Sequence, residues 1–170
     1  IITELDVFQK FYPNNTKITI TGTNGKSTTC QILYNIFRLK KLDVRLVGNI
    51  GQSPLQEKKI KQNTIFIVEA SSYQIFHNKF FKSDYAVILN LNVDHLERHE
   101  TLNKYAEAKI KLICDQEKNK FSFIEKSSAI INRIILKKNI KSKIIKINYN
   151  NKVFFKKKIN NNYLLDKNNL

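Results

Sequence analysis

The positions richest in chemistry are Gly22-Thr23-Asn24-Gly25-Lys26-Ser27. Glycines let the backbone turn so that several N–H groups face one set of phosphate oxygens. A helix that starts at the lysine adds the positive end of its dipole to that field. In such a loop Lys26 reaches the β- and γ-phosphates of a nucleotide, and the Ser27 hydroxyl holds Mg²⁺. The general phosphate-loop pattern has glycine where this chain has Ile20, a departure at one position. The plain alternative is a Gly/Asn turn followed by an exposed lysine.

Glu69 stands at the end of the apolar run Thr64-Ile65-Phe66-Ile67-Val68. An unpaired carboxylate there would cost several kcal/mol of desolvation. Mg²⁺ takes one or two carboxylates together with phosphate oxygens and would relieve that cost; a merely exposed strand-end glutamate is the alternative. His95 follows Asp94 just beyond the next apolar run, Tyr85-Ala86-Val87-Ile88-Leu89. Spacing gives His77 and His99 no role. Cys30 and Cys114 sit in no CxxC or Cys/His cluster, so reduced, semi-buried thiols in a cytosolic setting are expected. No Ser/His/Asp or Cys/His nucleophile arrangement occurs.

These residues need elements to hold them. Leu5, Phe8 and Phe11 share one helical face over Glu4–Phe11, with Thr3 as N-cap and Pro13 as stop. Lys17–Thr21 alternates as a strand, and residues 26–40 read as a helix with Ile32, Leu33, Ile36 and Phe37 inward. Further strands are expected at 43–47, 64–68 and 85–89, and a helix at 102–115. The continuous apolar runs mark strands buried on both faces of a parallel sheet. Beyond residue 120 the pattern predicts a strand at 121–124, a helix at 129–136 and a strand at 143–147. Residues 152–157 and 162–165 are expected to form a small antiparallel edge. Strands alternating with helices, and polar residues collecting after strand ends, predict an α/β fold. Its sheet would be mostly parallel and doubly wound, with helices on both faces and a ligand crevice at the strand carboxyl ends.

The 170 residues suit one domain, contain no methionine and include no apolar run near the ~18 residues of a membrane span. The net charge of +16 is uneven: residues 1–116 carry 16 basic against 11 acidic side chains, and residues 117–170 carry 14 against 3. Of the basic residues 26 are Lys and four are Arg, whereas base readout and phosphate forks favour Arg. The excess is therefore read as solvated surface, with no nucleic-acid partner expected.

Taken together, the motifs carry a resemblance. The loop Gly22–Ser27, with Thr28-Thr29 after it, resembles that of the Mur ligase family of ATP-dependent amide-bond-forming enzymes. Gly48-Asn49-Ile50-Gly51, Glu69-Ala70-Ser71-Ser72-Tyr73-Gln74 and the stretch from Asn90 to His99 look most like the branch that adds D-glutamate to UDP-N-acetylmuramoyl-L-alanine. Tyr105-Ala106-Glu107-Ala108-Lys109 completes the series in order. The resemblance is dense from about residue 17 to 115 and thin afterwards.

It implies that Gly22 through Thr28 bind ATP and that Lys26, Glu69, His95 and Lys109 are catalytic. Ser27 and Glu69 would serve one Mg²⁺ and His95 a second. Lys109 falls where the family carries a carbamylated lysine, which could ligate metal as an anion; from the residue alone it reads as a helix-surface lysine. Asn49 and Ser71 fall where relatives contact the nucleotide-sugar or organise the metal site. The expected partners are small molecules: ATP, UDP-N-acetylmuramoyl-L-alanine and D-glutamate. A cytoplasmic monomer is expected, with no membrane partner. The resemblance also implies that residues 1–170 are most of a central ATPase domain, without the family's N-terminal and C-terminal domains. Two competing readings are a sibling ligase, including the folylpolyglutamate synthetase branch, and a basic anion-binding module without chemistry. One departure stands out: Glu125-Lys126-Ser127-Ser128 replaces the Asn-Ala-Asp-Asp-like stretch of relatives.

Overall fold

The computed structural model describes residues 2–92 and 101–148. Helix α1 (Glu4–Phe11) leads into β1 (Lys17–Thr21), α2 (Lys26–Leu39), β2 (Val44–Gly48) and β3 (Ile65–Glu69). Then follow α3 (Ser72–His77), β4 (Tyr85–Ile88), α4 (Leu102–Cys114), β5 (Phe121–Glu125), α5 (Ala129–Ile135) and β6 (Lys143–Ile147). The strands form one six-stranded sheet in the order β2-β3-β1-β4-β5-β6, and every pairing is parallel. From β1 the chain moves to one side for β2 and β3 and to the other for β4. The carboxyl end of β1 is thus the switch point at which open α/β sheets bind ligands. The expected antiparallel edge at 152–165 lies outside the described residues.

Alternation along the strands divides the interior in two. Phe66, Val68, Ala86 and Ile88 face α1, α3, α4 and α5, where Leu5, Phe8, Ile75, Ile110, Ile113, Ile131 and Ile134 complete one core. Ile20, Val44 and Ile67 face α2, with Cys30 buried among them and Leu33, Tyr34 and Phe37 packed around. Helices therefore cover both faces, as expected. Ile32 and Ile36, however, are 43% and 45% exposed. The inward stripe of α2 runs through Cys30, Leu33, Tyr34 and Phe37, and a helix that has no helical neighbour on its side of the sheet among the described residues buries only that narrow stripe. Phe11 is likewise 67% exposed. Tyr12 takes the place expected of it, packing its ring on Phe8 at 5.7 Å and Phe66 at 5.3 Å. No described helix is long and apolar enough to cross a membrane.

Helix α1 is anchored by one carboxylate. Asp6 closes a capping box with Thr3 and also accepts the Lys79 and Phe80 N–H groups at 2.8 and 2.7 Å. Burial alone would raise its pKa, but the N–H donors of Thr3, Phe80 and Lys79 outweigh it and hold the group at about 2, against an ordinary value of 3.8. A depressed carboxyl pKa stabilises the fold fully above the ordinary value and ceases to do so as pH falls through about 2. Asp6→Ala is expected to cost about 3 kcal/mol at pH 7 by orphaning those donors. Denaturant melts should show that penalty shrinking between pH 4 and 2; a pH-independent penalty would contradict the assignment.

Thr19, central in β1, is fully buried, and its Oγ1 finds no hydrogen-bond partner among the described residues. Thr19→Val keeps the shape and removes the orphan, so stability should rise by about 1 kcal/mol and Tm by roughly 2–4 °C. A lower Tm would mean that the hydroxyl has a partner.

Candidate phosphate-binding site

The loop joining β1 to α2 is built by its backbone. Gly25 is the N-cap of α2 at φ 81°, a left-handed conformation that favours glycine, and no side chain caps the helix. The first N–H groups of α2 therefore have no intrahelical acceptor and mark the positive end of a 14-residue helix. Ser27 and Thr28 are exposed beside them. Thr23 is buried instead: its hydroxyl accepts the Asn92 N–H at 3.0 Å and lies 3.3 Å from the Tyr105 hydroxyl. Its side chain forms the wall of the loop. The N–H groups of Thr23 and Asn24 bond Asn90, through its carbonyl at 3.0 Å and Oδ1 at 2.9 Å.

Two lysines meet at this loop. Lys26 Nζ donates to the Gly22 and Thr23 carbonyls at 3.1 and 2.9 Å. Lys109, on α4, is buried and donates to the same Gly22 carbonyl at 3.0 Å and to Thr21 Oγ1 at 3.2 Å, with Nζ 4.7 Å from the Tyr105 ring centroid. It is no surface lysine. The register of α4 turns Tyr105 and Lys109, four residues apart, to one side. That side packs under the end of β1.

Glu69 ends β3 opposite Ile20 of β1 and Gly48 of β2. It is 2% exposed, and its Oε2 has no hydrogen-bond partner among the described residues. A buried polar atom left without a partner calls for an explanation, and a bound ligand is one that would supply it. Gly48 fits tightly behind it, since a Cβ there would stand 2.3 Å from the Glu69 carbonyl oxygen. Asn49 is exposed, and its N–H bonds that carbonyl at 2.9 Å. Burial, reinforced by the Glu69 carboxylate, pushes the Cys30 thiol up to about 12 against the opposing pull of Lys26. Cys30 is thereby held as a thiol and is no nucleophile.

Ser71 caps α3: its hydroxyl accepts the Gln74 N–H at 3.2 Å, while Gln74 Oε1 accepts the Ser71 N–H at 2.9 Å. Among the described residues its hydroxyl proton finds no acceptor and could donate to a ligand. Helix α3 went unread in the sequence, although Ser71-x-x-Gln74 is a capping-box signature. Asp94, His95 and His99 lie outside the described residues. Among the described residues no group of three His, Cys, Asp or Glu side chains stands ready for a metal. Glu69 alone, with Ser27 and phosphate oxygens, fits the sparse protein ligation typical of Mg²⁺.

The uncapped N-terminus of α2, a buried carboxylate whose Oε2 has no partner among the described residues and a buried lysine beneath the loop thus share one switch point. The sequence profile of the Mur ligase middle domain matches residues 20–168. The chain belongs to the Mur ligase family. This middle domain is 39% identical over 124 residues to UDP-N-acetylmuramoylalanine--D-glutamate ligase of Rickettsia prowazekii, covering 73% of this chain and 27% of that protein. It is 38% identical over 153 residues to the enzyme of that name from Elusimicrobium minutum, covering 85% and 33%. The chain therefore spans between about a quarter and a third of the length of these curated relatives.

Among solved structures, MurF ligase from Thermotoga maritima in complex with ADP aligns with a TM-score of 0.66 at 21% identity, covering 87% of this chain and 37% of that one. E. coli FolC in complex with DHPP and ADP aligns at 0.60 and 12% identity, covering 85% and 46%. These likenesses are of fold. The family match runs past residue 120, where sequence likeness was expected to thin. There Ser127 donates to Glu125 and Ser128 caps α5, so Glu125-Lys126-Ser127-Ser128 serves as a turn and helix start.

Proposed function

We propose that this chain is the ATP-binding domain of a ligase that adds D-glutamate to UDP-N-acetylmuramoyl-L-alanine. The enzyme would work as a cytoplasmic monomer, with its nucleotide-sugar-binding and amino-acid-presenting domains outside these 170 residues. The observation that carries the reading is the convergence of Lys26 and Lys109 on one loop, with Glu69 at the end of the neighbouring strand. Both lysines donate to the Gly22 carbonyl, and the Glu69 Oε2, unpartnered among the described residues, stands on the neighbouring strand. The curated relatives bear the name of this reaction.

The chain's own groups do the following work. The N–H groups of Gly25 to Thr28 and the α2 dipole hold the β- and γ-phosphates. Lys26 exchanges the loop carbonyls for phosphate oxygens and neutralises charge as the γ-phosphoryl moves. Asn49 and Ser71, at the ends of β2 and β3, border the nucleotide-sugar substrate. Ser27 and Glu69 would hold one Mg²⁺, and His95 with Lys109 a second. Lys109 does so only as a carbamate, since an ammonium has no lone pair to give. Bound there, the ions supply neutralisation of the phosphate oxygens.

In the reaction, the L-alanyl carboxylate attacks the γ-phosphorus and the bond to ADP breaks, leaving an acyl phosphate. The D-glutamate amine then attacks the acyl carbon, inorganic phosphate departs and the new amide loses a proton. The test is phosphate release by the chain in its full reading frame, with Mg-ATP, UDP-N-acetylmuramoyl-L-alanine and each candidate amino acid in turn. Release is expected with D-glutamate. Release with L-lysine or meso-diaminopimelate instead would move the protein to a sibling ligase, and silence with every acceptor would remove the ligase reading.

A further inference from the structure

One side chain outside the ligase roles holds the loop's shape. Asn90, just past β4, accepts the Asn24 N–H through Oδ1 at 2.9 Å and donates through Nδ2 to the Asn24 carbonyl at 3.1 Å. Its own carbonyl accepts the Thr23 N–H at 3.0 Å. A carboxamide offers acceptor and donor side by side, so it pairs with both backbone groups of one residue, as a neighbouring strand would. Alanine offers neither group and a carboxylate only the acceptor. The side chain is half-buried, outside both hydrophobic cores. Its bonds are to the loop rather than to packing.

Holding Asn24 on both sides fixes the peptide that enters Gly25, and the left-handed turn at Gly25 aims the first N–H groups of α2. We infer that Asn90 is a positioning residue that keeps the loop in its phosphate-binding shape before the nucleotide arrives. The inference rests on the reading of this loop as the ATP site. It predicts an effect on nucleotide affinity and on no other substrate.

The test compares wild type, Asn90→Ala and Asn90→Asp in the full reading frame. It measures equilibrium binding of Mg²⁺ with a non-hydrolysable ATP analogue, the KM of each substrate and the melting temperature. Asn90→Ala should weaken analogue binding and raise the ATP KM by about tenfold, from the loss of two hydrogen bonds. The KM of the amino-acid acceptor should stay unchanged and Tm should move by no more than about 2 °C.

Asn90→Asp at pH 8 should bind as weakly as the alanine variant, because its carboxylate faces the Asn24 carbonyl. As pH falls through the ordinary aspartate value of about 4 the protonated acid regains a donor, so affinity relative to wild type should recover in Asp but not in Ala. If the alanine variant fails to fold, that recovery carries the test. An unchanged ATP KM in folded Asn90→Ala, an equal rise in every KM, or no pH difference between the two variants would overturn the inference. Wild type that binds no analogue would instead remove the ATP reading, and the role of Asn90 with it.

Discussion

Exchange of Glu69 for glutamine is expected to lower phosphate release by about 10²–10³-fold while making the metal-free protein more stable. The two effects share one cause. Glu69 is 2% exposed at the end of β3, and its Oε2 has no partner among the described residues. Burying an unpaired carboxylate costs several kcal/mol, and removing the charge where Oε2 makes no bond among the described residues recovers part of that cost. Glutamine has the same shape without the charge, so the gain should be about 1–3 kcal/mol. A divalent cation would turn that cost into binding energy, and Mg²⁺ should accordingly raise the Tm of wild type more than that of Glu69→Gln. Melts with and without Mg²⁺, beside phosphate release, decide it. A glutamine variant that turns over normally, or melts below wild type without metal, would show that Glu69 is merely structural.

Lys26→Ala should reduce phosphate release by a comparable factor, about 10²–10³-fold, with a much smaller change in Tm. Lys26 is half-buried, and its Nζ bridges the Gly22 and Thr23 carbonyls across the mouth of the loop. Those carbonyls can turn to water when the ammonium leaves, whereas a γ-phosphoryl group in transfer has no other fixed cation supplied by the loop. Arginine should not substitute. Its planar fork is longer and bulkier than the point charge seated against two adjacent carbonyls. Steady-state phosphate release and thermal melts on Lys26→Ala and Lys26→Arg check both statements. Substantial turnover by the alanine variant would place the phosphates elsewhere.

The sheet and its switch point were legible because their signals are local. Phe66-Ile67-Val68 reads as a strand buried on both sides, and the glycine-rich break after Thr21 reads as a loop wherever it folds. Other features depend on what packs against an element. Periodicity put Ile32, Ile36 and Phe11 inward, but α2 has no helical neighbour to cover its flanks among the described residues, and Tyr12 displaces Phe11. Spacing left Lys109 a surface lysine. Only the docking of α4 under β1 buries it against Gly22 and Thr21. The sequence alone assigns Asn90 no role, because a bond to a loop 66 residues earlier leaves no periodic trace.

In the proposed reaction this site activates a carboxylate by phosphoryl transfer. The most direct measurement follows ¹⁸O from the carboxylate of labelled UDP-N-acetylmuramoyl-L-alanine during turnover with ATP and D-glutamate. An acyl-phosphate route carries one labelled oxygen into each inorganic phosphate released, and Lys26→Ala should suppress labelled phosphate in proportion to turnover. Phosphate released without label would mean that the site hydrolyses ATP without joining anything, and the ligase account would fail.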